Sequence, residues 1–223
     1  MFFPGRIISS MAFLLLVGLT ACSKSEESQT VPPVDSTLRS TRAFAPNGIN
    51  PETLPVPFAD TFVTYLIRKG ANYMEGNTYP PFSGRTLKFK AIFDSSCIYS
   101  TIDPNNQADI NKLYGFADSM TFHQVNSARF GWNWMNGKMH IHAYCYVSTV
   151  RMYKELGTVN LNEEVDCSLE VLPGKYLFTL NGKTDTMQRA CMDTIAEGYR
   201  LYPYFGGDEQ APHDIRIKIK DIK

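Results

Sequence analysis

The chain has no surplus of charge of either sign: 22 Lys and Arg stand against 22 Asp and Glu in 223 residues. Its basic residues are scattered, which argues against a nucleic-acid binder, because such proteins gather a basic stripe or patch. No C-x-x-C pair occurs, so zinc ribbons and thioredoxin-like redox chemistry find no support. There is no G-x-S-x-G elbow to present a nucleophilic serine. Carboxylates never alternate along a strand as E-x-D-x-x-E, the arrangement that would set an acid and a nucleophile about 5 Å apart for glycoside hydrolysis. Glu163-Glu164-Val165-Asp166 and Asp208-Glu209 instead read as solvated groups at or beside turns. Gly206-Gly207 lacks the strand-to-helix context of a phosphate cradle. No internal repeat is visible.

What is present begins at the N-terminus. Arg6 is the only charge before residue 24, and an apolar run over residues 7–19 follows it. That run has the length of a secretory signal core and is too short to span a bilayer. It ends in Leu19-Thr20-Ala21-Cys22, which resembles the lipobox of bacterial lipoprotein precursors. The resemblance implies cleavage of residues 1–21 and acylation of Cys22. Two or three acyl chains hold firmly where one does not, since each buried methylene contributes about 0.8 kcal/mol. Ser23-Lys24-Ser25-Glu26-Glu27-Ser28 resembles the short acidic signal that sends some lipoproteins to the cell surface. The expectation is a protein tethered to a membrane, in the outer membrane and facing outwards or towards the periplasm.

Residues 22–57 are rich in Ser, Thr, Pro and Glu and lack apolar periodicity, so they read as a spacer. Residues 58–223 then form one domain of ordinary size. Within it Cys97, Cys145, Cys167 and Cys191 are an even number in an exported chain. They permit two disulfides in three pairings, or buried thiols, and their spacing does not choose.

Alternation with period 2 dominates the domain. Strands are expected at residues 61–68, 87–93, 128–134, Lys138–Val147, Val165–Leu172, Lys175–Leu180, 199–204 and 215–219. Asn136-Gly137 and Asn181-Gly182 are hairpin turns, and Pro173-Gly174 is another break. One short helical segment is expected at 110–117. Many strands with close turns give an all-β antiparallel sandwich, a two-sheet jelly roll.

The stretch Asn126-Ser127-Ala128-Arg129-Phe130-Gly131-Trp132, the strand from His140 to Val147, and the ending Tyr202-Pro203-Tyr204-Phe205-Gly206-Gly207-Asp208-Glu209-Gln210-Ala211-Pro212-His213-Asp214-Ile215 resemble the concanavalin-A-like lectin/glucanase jelly rolls of secreted bacterial lipoproteins. The resemblance implies two curved sheets and a concave face that often meets carbohydrate. It does not choose among lectins, hydrolases, lyases and inert modules.

The strand Lys138–Val147 is the most informative. Alternation sends Met139, Ile141, Ala143, Cys145 and Val147 to a core face and His140, His142, Tyr144 and Tyr146 to the other. Imidazoles and phenols in a row can stack on sugar rings and bond hydroxyls. They also suit an aromatic face covered by a loop such as 94–112. Phe130, Trp132 and Trp134 read as core, which leaves Arg129 and Asn133 on the polar-aromatic face, with His123 nearby if the preceding strand lies alongside. The site expected for a carbohydrate ligand is thus His140, His142, Tyr144, Tyr146, Arg129 and Asn133.

Three sharper chemistries share this strand. His140 and His142 have the H-x-H spacing of some β-sheet metal sites, but the Glu of the cupin pattern is missing, so no metal or other cofactor is expected. Jelly-roll alginate lyases carry a Gln-x-His strand with a separate Tyr and Arg; His140-Ile141-His142 puts His in place of Gln, with Tyr144, Tyr146 and Arg129 as partners. Their arginine-rich strand has no close counterpart. A hydrolase lacks its carboxylates. The expected function is non-catalytic binding of a poly- or oligosaccharide, the alternatives being a polysaccharide lyase acting on uronate chains and an adhesive module meeting another envelope protein.

Overall fold

The computed structural model describes residues 61–223. The leader 1–21, Cys22 and the spacer 22–57 lie outside the described residues. Among the described residues no helix is long and apolar enough to cross a membrane.

Twelve strands form two antiparallel sheets of six. One sheet is ordered β1 (Val63–Ile67), β12 (Ile215–Ile222), β3 (Thr86–Phe93), β8 (Val165–Leu172), β9 (Lys175–Leu180) and β10 (Lys183–Gln188). The other is ordered β2 (Pro81–Gly84), β11 (Ala196–Leu201), β4 (Asn111–Ala117), β5 (Ser127–Met135), β6 (Lys138–Val147) and β7 (Val150–Val159). The expected all-β sandwich is thus present. Asn136 and Gly137 both take positive φ, 54° and 71°, as the tight β5–β6 hairpin requires.

The inner faces interlock through aromatic rings. Phe130 of β5 meets Phe89 of β3 at 5.4 Å and Phe178 of β9 at 5.1 Å, both edge to face. Such pairs add about 0.5–1.5 kcal/mol each beyond the area they bury. On β6 the residues Met139, Ile141, Ala143 and Cys145 are fully buried, as alternation requires. Phe130 and Trp132 are fully buried and Trp134 packs against the same core.

Two expectations need correction. The segment expected to be helical at 110–117 instead forms β4, Asn111–Ala117. A β-bulge between Lys112 and Tyr114 breaks the period-2 signal, and nearly every side chain of the strand is buried, so no alternation shows in the sequence. The strand expected at 199–204 runs instead as Ala196–Leu201, with Tyr204 making isolated bridges to Tyr73 and Lys112. Three further strands, β2, β7 and β10, carry weak signals because they are short or lie on sheet edges and present exposed polar side chains.

No disulfide links Cys97, Cys145 and Cys167, which are buried thiols whose pKa values burial pushes up. Cys191 Sγ lies 2.6 Å from Ser119 Oγ.

The sheets are also joined by one buried charge network. Asp118, just after β4, takes bonds from Arg189 Nε at 2.7 Å and Nη2 at 3.2 Å and from the Tyr176 hydroxyl at 2.6 Å. The side chains of Arg189 and Asp118 are 1% and 0% exposed. Removing one partner of such a pair strands the other in a medium of low polarity. Asp118→Ala should therefore cost about 3–5 kcal/mol in urea unfolding. Arg85→Ala, which breaks only the exposed pair with Glu170, should stay within about 1 kcal/mol of the parent.

Candidate functional site

The outer face of the second sheet is built by the same alternation that fills the core. Register pairs Arg129 of β5 with Tyr144 of β6 and Gly115 of β4, and places Tyr153 of β7 beyond Tyr144. Gly115 is required there, since a Cβ on it would lie 2.4 Å from Arg129 Cβ. One row further along, Tyr146 sits opposite Arg151. Loop residues complete a groove of about 200 Å³ lined by Tyr73, Tyr79, His123, Arg129, Tyr144, Tyr146 and Tyr204, with Lys112 at its edge.

Arg129 is the unusual member. Three arginines are largely withdrawn from water in this domain. Arg189 is bound by Asp118 and Asp193, and Arg200 by Asp221 and the Tyr114 hydroxyl. Arg129 is 7% exposed and, among the described residues, has no carboxylate partner and no hydrogen-bond acceptor for its buried Nε. Burial pushes its pKa down, while the hydroxyls of Tyr144, Tyr146, Tyr199 and Tyr79 oppose that shift. Its guanidinium lies 5.7 Å from the Tyr144 ring centroid. Among the described residues no Asp or Glu lines the groove. A buried guanidinium stays charged, so the floor of the groove carries a positive charge.

Burial favours the neutral forms of the groups around Arg129. Burial, helped by Arg129, lowers His123 to about 4, and its Nδ1 lies 3.0 Å from the Tyr199 hydroxyl. Burial raises Tyr144 to about 12. Burial also lowers Lys112 to about 8, Arg129 adding to the effect.

The structure divides the residues expected from sequence. Arg129, Tyr144 and Tyr146 line the groove. His140, His142 and Asn133 lie on the same sheet face but outside the groove lining, towards the β5–β6 turn. Gly131 is the divider: a Cβ there would come 2.4 Å from Ile110 Cγ2, so the loop before β4 lies directly on the sheet. Asn133 Nδ2 donates to the Ala108 carbonyl at 3.2 Å, and its Oδ1 lies 3.1 Å from His142 Nε2, which therefore carries the proton. His142 is 7% exposed, with Nδ1 buried and unpartnered. His140 is held between Glu155 and the Met135 carbonyl. The loop expected as a cover for the face reaches Asn133 through the Ala108 carbonyl and Gly131 through Ile110, while Lys112 at its end lies over the Tyr144 ring. Among the described residues no cluster of three or more His, Cys, Asp or Glu could hold a metal ion.

Sequence reasoning did not find Tyr73, Tyr79, Lys112 and Tyr204. The first two and Tyr204 stand in irregular segments without periodicity, and Lys112 is hidden by the bulge. Only the Arg129 row, opposite a strand with a clear pattern, carried a usable signal.

No family model and no curated sequence matches this chain. Solved structures do. The alginate lyase AlyC3 superposes with a TM-score of 0.51 at 11% identity, over 73% of this chain and 74% of that one. The fold is that of the concanavalin-A-like jelly rolls. A GH16 protein of Bacteroides ovatus, solved with a mixed-linkage glucan product, gives a TM-score of 0.46 at 9% identity over 73% and 80% of the two chains. The carbohydrate-binding module CBM66 of Bacillus subtilis gives 0.38 at 8% identity over 71% and 89%. At such identities the jelly-roll likeness concerns the fold alone.

Two outcomes follow from the charges. Arg129→Met in this jelly roll should leave the unfolding free energy unchanged or raise it, because it removes an unpaired buried charge. A loss above about 2 kcal/mol would instead assign Arg129 a role in the fold. His142, which burial lowers to about 4, gives a pH dependence of fixed sign. Its folded pKa lies below the unfolded value, so the unfolded chain binds more protons between the two. Stability is complete above about pH 6.5 and falls as pH drops towards 4. Melting curves of His142→Gln across that range should fall less steeply than those of the parent.

Proposed function

We propose that this domain binds an anionic carbohydrate chain in the Arg129 groove and does not cleave it. The single observation that carries the reading is the buried, unpaired guanidinium of Arg129 among tyrosines. A carboxylate on a sugar would supply the missing partner, and charge-assisted bonds of this kind contribute about 1.5–3 kcal/mol. The Tyr73, Tyr79, Tyr144, Tyr146 and Tyr204 side chains offer rings for stacking and hydroxyls for bonding at little entropic cost. The absence of any carboxylate from the groove lining disfavours acid-and-nucleophile hydrolysis. His140, His142 and Asn133 support the floor beside the ligand under this reading.

One observation favours a second reading, a polysaccharide lyase. Two cations lie near the Tyr144 ring, Arg129 at 5.7 Å and Lys112 at 5.1 Å from its centroid. In β-elimination a base removes the proton α to the uronate carboxyl, and Arg129 would neutralise that carboxyl. The C–O bond to the leaving sugar then breaks, its oxygen takes a proton, and a C=C bond forms. Tyr144 would serve as base and Tyr146 as proton donor. The double bond, conjugated with the carboxyl, absorbs in the ultraviolet.

The test is binding to polyuronates and neutral glucans, with absorbance followed throughout. Uronate binding without absorbance is the expected result, and Arg129→Met should weaken it about ten- to a hundredfold. Growing absorbance would select the lyase. Indifference to every acidic glycan, with capture of an envelope protein, would move the function to an adhesive module.

Anchoring through Cys22 to the outer membrane, with the domain displayed at the cell surface or towards the periplasm, is part of the proposal. It rests on the leader and Leu19-Thr20-Ala21-Cys22. Labelled palmitate should enter the parent protein in cells and be absent from Cys22→Ala.

A further inference from the structure

We propose that the groove reads two neighbouring acid groups, the second held by Lys112 and Arg151, so that its ligand is an uninterrupted run of acidic sugars. This rests on the reading that the Arg129 groove takes an anionic glycan.

Beside the main groove lies a smaller hollow of about 70 Å³, bounded by Lys112, Tyr144, Arg151, Tyr153 and Asp109. The two hollows share Lys112 and Tyr144, so they adjoin across that ring. Lys112 Nζ sits 5.1 Å from the Tyr144 centroid and 5.5 Å from that of Tyr204. It donates one bond, to the Gly206 carbonyl at 2.8 Å, and forms no ion pair among the described residues. An ammonium has three donors, so two remain for a ligand. Arg151, on β7 opposite Tyr146, likewise has no ion-pair partner among the described residues. The outer face therefore carries Arg129, Lys112 and Arg151 around Tyr144 and Tyr146.

The charged and titratable groups facing Lys112 come from every element packed on it. They are Arg129 from β5, Tyr144 from β6, Arg151 from β7, Tyr204 after β11 and Asp109 before β4. Asp109 is the one carboxylate in the smaller hollow, and its Oδ2 takes the Asp208 N–H at 3.3 Å. It offsets one of the two cations there and leaves a net positive charge beside the unpaired Arg129. A ligand with a single acid group would satisfy Arg129 and leave this second charge unused.

Two consequences are measurable. The first is a preference for adjacent acid groups. The second is pH: Lys112, with its pKa near 8, is charged below that value and neutral above it. Affinity for adjacent acid groups should be complete below about pH 8 and fall as pH rises through it. In Lys112→Arg, whose guanidinium does not titrate there, it should stay level.

The experiment uses the full chain, purified in detergent, and two probes of equal length. One is a tetramer of a uronic acid; the other is the same tetramer with alternate carboxyls methyl-esterified. The parent should prefer the fully acidic tetramer by about tenfold or more, the range of one charge-assisted bond. Lys112→Met and Arg151→Met should each bring that ratio towards one. If both variants keep the ratio while Arg129→Met loses binding, the second acid position is wrong and the anion-binding groove stands. A parent that binds neither tetramer, or an Arg129→Met that binds both as before, overturns the groove reading itself. Should a Met variant fold poorly, the pH series on the parent and Lys112→Arg decides: a level affinity from pH 7 to 9.5 in the parent removes Lys112 from the site.

Discussion

The clasp of Phe130 between Phe89 and Phe178 is the constraint on which the rest of this sandwich depends. It locks β5 of one sheet to β3 and β9 of the other. Because side chains alternate, seating Phe130 and Trp132 inwards sends Arg129, Gly131 and Asn133 outwards. The core thus dictates which side chains the outer face presents. A slip of one residue would expose the aromatic rings and bury the arginine between the sheets.

The outer face is then shaped by what is missing as much as by what is present. Gly115 leaves space for the Arg129 side chain, and Gly131 lets Ile110 close over the neighbouring row. One face is divided into an open tyrosine groove and a covered patch holding His142 and Asn133. Buried arginines elsewhere in the domain are satisfied internally, Arg189 by Asp118 and Arg200 by Asp221. Those pairs join the two sheets and stabilise the fold. Arg129 has no such partner among the described residues, and this sets it apart from the arginines that tie the sheets together.

The fold was legible where the pattern was regular. β6, β8 and β9 occupy the spans read from alternation and their turns, and the core face of β6 is the one that alternation assigns. It was illegible in β4, where the bulge at Lys112 and burial on both faces erase the period, and in the polar edge strands β7 and β10. The site was partly legible for the same reason. Arg129, Tyr144 and Tyr146 lie on patterned strands, while Tyr73, Tyr79, Lys112 and Tyr204 reach the groove from irregular or bulged segments.

The order of residues sets the class of the fold, the inward and outward faces of β5 and β6, and the lack of an E-x-D-x-x-E carboxylate pattern along any strand. These are local properties, set by alternation and turn chemistry within a few residues. Packing places His140, His142 and Asn133 outside the groove and Lys112 in it, and leaves Arg129 without a counter-ion among the described residues. Those facts depend on which loop crosses which strand and on the distance between groups far apart in the chain. Pairing and covering are properties of the packed sheets, and no local pattern encodes them.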